Sequence, residues 1–136
     1  MNSNCVIIAD SHQDMLEGIR GLLQTLFESV VMVADEKSLF DTVEKLQPDI
    51  AVVDLSLPVS DEVNVARKIK SLYPDLKLII LSVHDETTTV NEIMSAGAAG
   101  FVLKRCIATD LLSAVQKISQ GNSYISPSLK ISERTK

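Results

Sequence analysis

Five short apolar runs, separated by five amphipathic stretches, limit what this chain can become. The runs are CVIIA (5–9), VVMVA (30–34), IAVV (50–53), KLIIL (77–81) and GFVL (100–103). They are rich in Val, Ile and Leu and do not alternate with polar residues. That is the pattern of strands buried on both faces of a parallel sheet. Between them the apolar residues recur at helical spacing. Met15, Leu16, Ile19, Leu22, Leu23, Leu26 and Phe27 form one stripe over 13–27. Leu39, Val43 and Leu46 mark a second helix, broken by Pro48. Val63, Ala66 and Ile69 mark a third, ending near Pro74. Val90, Ile93 and Met94 mark a fourth, closed by Gly97. Ile107, Leu111, Leu112, Val115 and Ile118 mark a fifth, closed by Gly121.

Strand and helix alternating five times predict an α/β fold around a parallel sheet. Right-handed crossovers leave few layouts. The expected one is a doubly wound, flavodoxin-like, five-stranded sheet of order 2-1-3-4-5. The 136 residues fit one ordinary domain, and 46% hydrophobic content is enough for a real core. After Gly121 the sequence NSYISPSLKISERTK turns polar and reads as a linker or a helix start. The net charge of −5 argues against direct binding to a phosphate backbone. Cys5 and Cys106 lie far apart without metal-ligand spacing, so both read as free thiols in a reduced, cytosolic setting. The apolar runs are too short for a membrane span, and no signal-peptide pattern is expected.

In open α/β sheets ligands bind beyond the carboxyl ends of the strands, near the point where strand order reverses. Strand one runs into Asp10, strand three into Asp54, strand four into Ser82 and strand five into Lys104. Asp35 follows strand two, at the outer edge in the expected order. Any single polar residue there can mark nothing more than the chain reaching water. Two acids, a hydroxyl and an amine on one rim permit acyl-phosphate formation. Asp54 is the candidate nucleophile because its strand is central. Transfer needs the phosphoryl oxygens neutralised by Mg²⁺ and a cation. Asp10, Asp54 and the backbone carbonyl of Ser56 are the candidate Mg²⁺ ligands. Lys104 would pair with the phosphoryl group, and Ser82 would donate a hydrogen bond to it.

These residues resemble a bacterial response-regulator receiver domain. The matching pieces are IIADSH, DIAVVDLSLP, LIILSVHD and AGAAGFVLK, across residues 5 to about 121. The ending GNSYISPSL resembles the junction of the NarL/FixJ (LuxR-type) subfamily, where a helix-turn-helix DNA-binding domain follows. The resemblance implies a receiver domain over 1–121 and a linker over 122–136 toward an output domain absent from this chain. It also implies a transcriptional regulator in the cytoplasm, with a sensor histidine kinase phosphorylating Asp54. Ser82 would be drawn toward the phosphate. Phe101, at the switch aromatic position, would pack inward. The face of helix four, strand five and helix five would then bind a partner, typically a second copy. Because Phe101 lacks the hydroxyl of the commoner tyrosine, it is expected to favour the buried position without phosphate. DNA would be reached only through the C-terminal domain, and turnover would be limited to self-catalysed phosphorylation and dephosphorylation.

Two positions depart from the family pattern. Ser11 stands where a second acid is usual, and Glu62 where glycine is usual. Losing one ionic contact costs about 1.5–3 kcal/mol, or about 10- to 100-fold in Mg²⁺ affinity. Asp61 or Glu62 is a candidate replacement, and Asp14 a weaker one. A phosphorylation-independent interaction or dimerisation module therefore stands as the alternative. His12 and His84 share the same rim, but no third transition-metal ligand is evident, so both read as surface or second-shell histidines. ADSHQD has no glycine and two acids, which excludes a flavin phosphate loop. Asp54 is followed by Leu55 and Ser56 rather than by a nearby second acid, which argues against an aspartate phosphatase. Arg105 reads as solvated, and Lys130, Arg134 and Lys136 are too few for useful DNA affinity.

Overall fold

A computed structural model describes residues 5–59 and 64–127, with the side chains of 13–16 outside that description. In chain order the elements are β1 (Cys5–Ala9), α1 (Gln13–Leu23), β2 (Ser29–Val33), α2 (Glu36–Leu46), β3 (Ile50–Asp54) and α3 (Val65–Leu72). There follow β4 (Lys77–Ser82), α4 (Thr87–Ser95), β5 (Gly100–Leu103), α5 (Ile107–Ser119) and β6 (Tyr124–Ile125). All strand pairs are parallel, in the order β2-β1-β3-β4-β5-β6. The expected doubly wound order 2-1-3-4-5 is therefore present, with one strand added. Strand order reverses between β1 and β3, so Asp10 and Asp54 stand on either side of the switch point.

The absence of polar alternation in the strands has a direct cause. Side chains along a strand point to opposite faces, and here both faces are covered. Ile7, Ala9, Ala51, Val53, Ile80 and Phe101 pack against Leu39 and Val43 of α2, Ile69 of α3 and Val90 and Ile93 of α4. Val6, Ile8, Val52, Ile79, Leu81 and Val102 pack against Ile19 and Leu23 of α1 and Leu111, Val115 and Ile118 of α5. Each such fully buried aliphatic residue contributes about 1.5–3 kcal/mol. The central strands are thereby a stiff platform for whatever stands at their ends.

Helix boundaries follow local chemistry. Asp35 caps α2 by accepting a 2.8 Å hydrogen bond from the Ser38 N–H, and Asn64 caps α3 through the Arg67 N–H at 2.7 Å. Gly97 (φ +112°) and Gly121 (φ +92°) supply the left-handed turns after α4 and α5. Gln47 closes α2 in a left-handed conformation, its N–H bonded to the Val43 carbonyl, and Pro48 after it cannot continue the helix.

Three expectations need correction. Helix α1 ends at Leu23, not Phe27: Leu26 and Phe27 donate to the Leu23 carbonyl in a tightened last turn, and Thr25 Oγ1 bonds the Leu22 carbonyl. Leu26 and Leu46, read as parts of apolar stripes, are exposed at helix ends. Residues 124–125, read as linker, form β6. The Tyr124 N–H bonds the Ala99 carbonyl, the Ser126 N–H bonds the Phe101 carbonyl, and the Leu103 N–H donates to the buried Ser126 hydroxyl. Added this way, β6 covers what would otherwise be an open sheet edge. Val63, Asp61, Glu62 and the basic residues Lys130, Arg134 and Lys136 lie outside the described residues, as does the side chain of Asp14.

Candidate functional site

Because β1, β3, β4 and β5 are parallel neighbours, their carboxyl ends deliver four polar residues to one rim. Asp10 follows β1, Asp54 ends β3, Ser82 ends β4 and Lys104 follows β5 in a short 3₁₀ turn (Lys104–Cys106). Asp10, Asp54 and Ser82 are all buried, at 0%, 2% and 1% exposure. Carboxylates are almost never buried without partners, and here they have one. Lys104 Nζ lies 3.1 Å from Asp10 Oδ2 and 3.2 Å from Asp54 Oδ1, with the lysine side chain itself only 9% exposed. One ammonium thus straddles two carboxylates from different strands.

The remaining carboxylate oxygens are held locally. Asp54 Oδ2 accepts from the Ser56 hydroxyl at 2.7 Å, and Asp54 Oδ1 accepts a longer 3.3 Å bond from the Ser56 N–H. Asp10 Oδ1 accepts from the His12 N–H at 2.8 Å, an Asx turn leading into α1. It also lies 2.9 Å from His12 Nδ1, and that nitrogen is 3.7 Å from Asp54 Oδ2. Asp10 Oδ2 is buried and makes no hydrogen bond. Lys104 gives it opposite charge at contact distance, but not along a hydrogen-bonding direction. We take the pairing as electrostatic, since distance governs Coulomb attraction and angle governs the hydrogen bond.

Ser82 Oγ accepts from the His84 N–H at 2.8 Å and lines one open cleft of about 810 Å³ with Asp54, Ser56, Lys104 and His12. His84 lines the same cleft with its Nδ1 3.8 Å from Glu86 Oε1, and it is not among the ligand atoms that gather at Asp10, His12 and Asp54. Arg105 pairs with Asp85 at 3.4 Å on the surface. Ser11 is exposed. Phe101 is fully buried beneath the rim, in the core cluster of α2, α3 and α4.

Sequence reasoning missed two contacts. The hydroxyl of Ser56, beyond its expected backbone role, holds Asp54. His12, read as a surface or second-shell group, closes over the acid pair. The spacing of two residues after each acid was the available signal, since a side chain at i+2 can fold back on an aspartate ending a strand.

Residues 6–116 match the family model of the response regulator receiver domain. This chain belongs to that family. The receiver is 35% identical over 124 residues to the transcriptional regulatory protein DegU of Brevibacillus brevis, covering 90% of this chain and 52% of DegU. It superposes on the isolated REC domain of RcsB from Salmonella enterica serovar Typhimurium, determined with the phosphomimetic BeF₃⁻, at TM-score 0.84 and 28% identity. That match covers 95% of this chain and 97% of the RcsB domain. A structure of two RcsB dimers bound to two parallel DNAs is similar at TM-score 0.83 and 28% identity, over 95% of this chain and 67% of that one. NarL- and LuxR-type regulators are also among its relatives. The receiver spans about half the length of DegU. The relatives are regulators rather than metabolic enzymes. Among the described residues no helix is long and apolar enough to cross a membrane.

Proposed function

We propose that Asp54 of this receiver accepts a phosphoryl group from the phosphohistidine of a sensor histidine kinase. An Asp54 oxygen attacks phosphorus, a P–O bond forms, the P–N bond breaks, and the imidazole leaves with the electron pair. The observation that carries this reading is the straddling lysine: Lys104 contacts both Asp54 and Asp10 and is placed to follow the phosphoryl oxygens. Ser56 orients the nucleophile through its hydroxyl, and Ser82, on the cleft wall, turns its donated O–H from the His84 carbonyl, 3.3 Å away, to a phosphoryl oxygen.

Two converging buried carboxylates, one with an oxygen lacking a hydrogen bond, fit a divalent cation. Asp10, Asp54 and the Ser56 carbonyl would hold Mg²⁺, which when bound neutralises charge on the phosphoryl oxygens. Ser82 and Phe101 then form the switch, and the α4–β5–α5 face binds a second copy. DNA is reached through a helix-turn-helix domain that residues 122–136 lead toward, and the setting is cytoplasmic. The RcsB dimers on DNA and the relation to DegU support this placement.

The test is incubation with acetyl phosphate and Mg²⁺ followed by intact mass measurement. Wild type should gain one phosphoryl group, Asp54→Asn none, and Ser11→Asp more than wild type at limiting Mg²⁺. An unlabelled wild type, under conditions that label a standard receiver, would overturn the reading. A second reading, a phosphate-independent interaction module, is favoured by the neutral, exposed Ser11 standing beside Asp10 where a second acid is usual. In that case Asp54→Asn leaves partner binding unchanged.

A further inference from the structure

We infer that His12 makes the acid pair a nitrogen-containing metal site, one that takes a borderline divalent ion of the Zn²⁺ or Co²⁺ class more tightly than Mg²⁺. The site is the juxtaposition of His12, Asp10 and Asp54, each of which offers one ligand atom within 4.8 Å of the others. The inference rests on the cation-holding part of the proposed function and not on phosphoryl transfer.

Three observations converge. The ring nitrogen Nδ1 already faces both acids, 2.9 Å from Asp10 Oδ1 and 3.7 Å from Asp54 Oδ2. The carboxylate oxygens divide into two sets: Asp10 Oδ2 and Asp54 Oδ1 face Lys104, while Asp10 Oδ1 and Asp54 Oδ2 face His12. An ion between the His12-side atoms therefore leaves the lysine contacts in place. Asp10 and Asp54 are both buried and share the single ammonium of Lys104, so two negative charges face one positive charge.

The donor type sets the ion. Mg²⁺ demands oxygen ligands in near-octahedral array and gains little from imidazole. Zn²⁺ and Co²⁺ bind imidazole nitrogen well and accept few protein ligands, with water completing the shell. His12 ligates through the Nδ1 lone pair with its proton on Nε2. Its side chain is 62% exposed, so the ring reorients without disturbing the core.

The test titrates the whole 136-residue chain with Zn²⁺, Co²⁺ and Mg²⁺ separately, by calorimetry and without a phosphoryl donor. Zn²⁺ should bind wild type more tightly than Mg²⁺. His12→Ala should weaken Zn²⁺ by more than about tenfold, the lower bound for losing even an outer partner of a metal, with a much smaller effect on Mg²⁺. Asp10→Asn, which keeps a carbonyl for the His12 N–H, should weaken both ions. Co²⁺ should broaden NMR signals centred on His12, and His84→Ala should leave that pattern intact. Equal Zn²⁺ affinity in wild type and His12→Ala, or tighter Mg²⁺ than Zn²⁺ in wild type, overturns the inference while leaving phosphorylation of Asp54 standing. Failure of acetyl phosphate labelling alongside His12-dependent Zn²⁺ binding does the reverse.

Discussion

The two ends of the sheet carry cavities of nearly equal size and opposite chemistry. At the amino ends of the strands an open hollow of about 860 Å³ lies among Phe27, Pro48, Asp49, Asp75 and Lys77. Its charged residues Asp49, Asp75 and Lys77 are all exposed to water. At the carboxyl ends a cleft of about 810 Å³ reaches the buried Asp54 and the nearly covered side chain of Lys104. Exposed charges cost little and mean little, whereas a buried charge must be offset by partners. The larger hollow is therefore the less informative one, and the place where charge is kept out of water marks the site.

Lys104→Ala gives the largest expected effect. It leaves two buried carboxylates without their cation and should lower stability by about 3–5 kcal/mol, read as a shift in the urea midpoint. A change near zero would mean that the rim charges are better solvated than their burial indicates. Next is the effect of a divalent cation. Added at a hundred times its dissociation constant, it should raise stability by about 2.7 kcal/mol, and Asp10→Asn should abolish most of that gain. Without any cation, Asp10→Asn itself should stabilise by about 1 kcal/mol, because one of two like charges sharing a single lysine disappears. At the other end, Asp75→Asn should move the midpoint by less than about 0.5 kcal/mol. A larger change there would erase the contrast between the two ends.

A pH experiment extends the contrast to the α2–α3 surface. Burial, then the hydrogen bond to Glu44, pushes the Tyr73 phenol up to about 12. Its folded value lies above the unfolded one of about 10. Its contribution is thus fully present below pH 10 and is lost as pH rises through about 12. Tyr73→Phe should flatten that alkaline limb in a stability-versus-pH profile and, by losing the bond to Glu44, lower the neutral plateau by up to about 1 kcal/mol without changing its slope.

The strands were legible because burial on both faces leaves unbroken apolar runs. Their order was legible because few right-handed layouts exist. Asp10, Asp54, Ser82 and Lys104 could be assembled from sequence since topology alone brings parallel strand ends together. Strand β6 could not. Tyr124 and Ile125 form no run of their own, and they become a strand only because β5 offers an open edge. Nor could the contacts of Ser56 and His12 be read in advance. They depend on how each chain turns back within two residues, and hydrophobic periodicity carries no trace of that. The overlong stripes ending in Leu26 and Leu46 failed for the opposite reason: periodicity continues past the last turn that has anything to pack against.

Strand β6 also sets a phase for the chain that leaves the domain. Tyr124 packs on the α1–α5 side of the sheet and Ile125 on the other. Removing one residue between Gly121 and Tyr124 would exchange the two sides and carry Ser126 away from the Leu103 amide. The exit from the domain is therefore counted in single residues, like the teeth of a gear, and the strand it meshes with is the one that bears Phe101 and runs into Lys104.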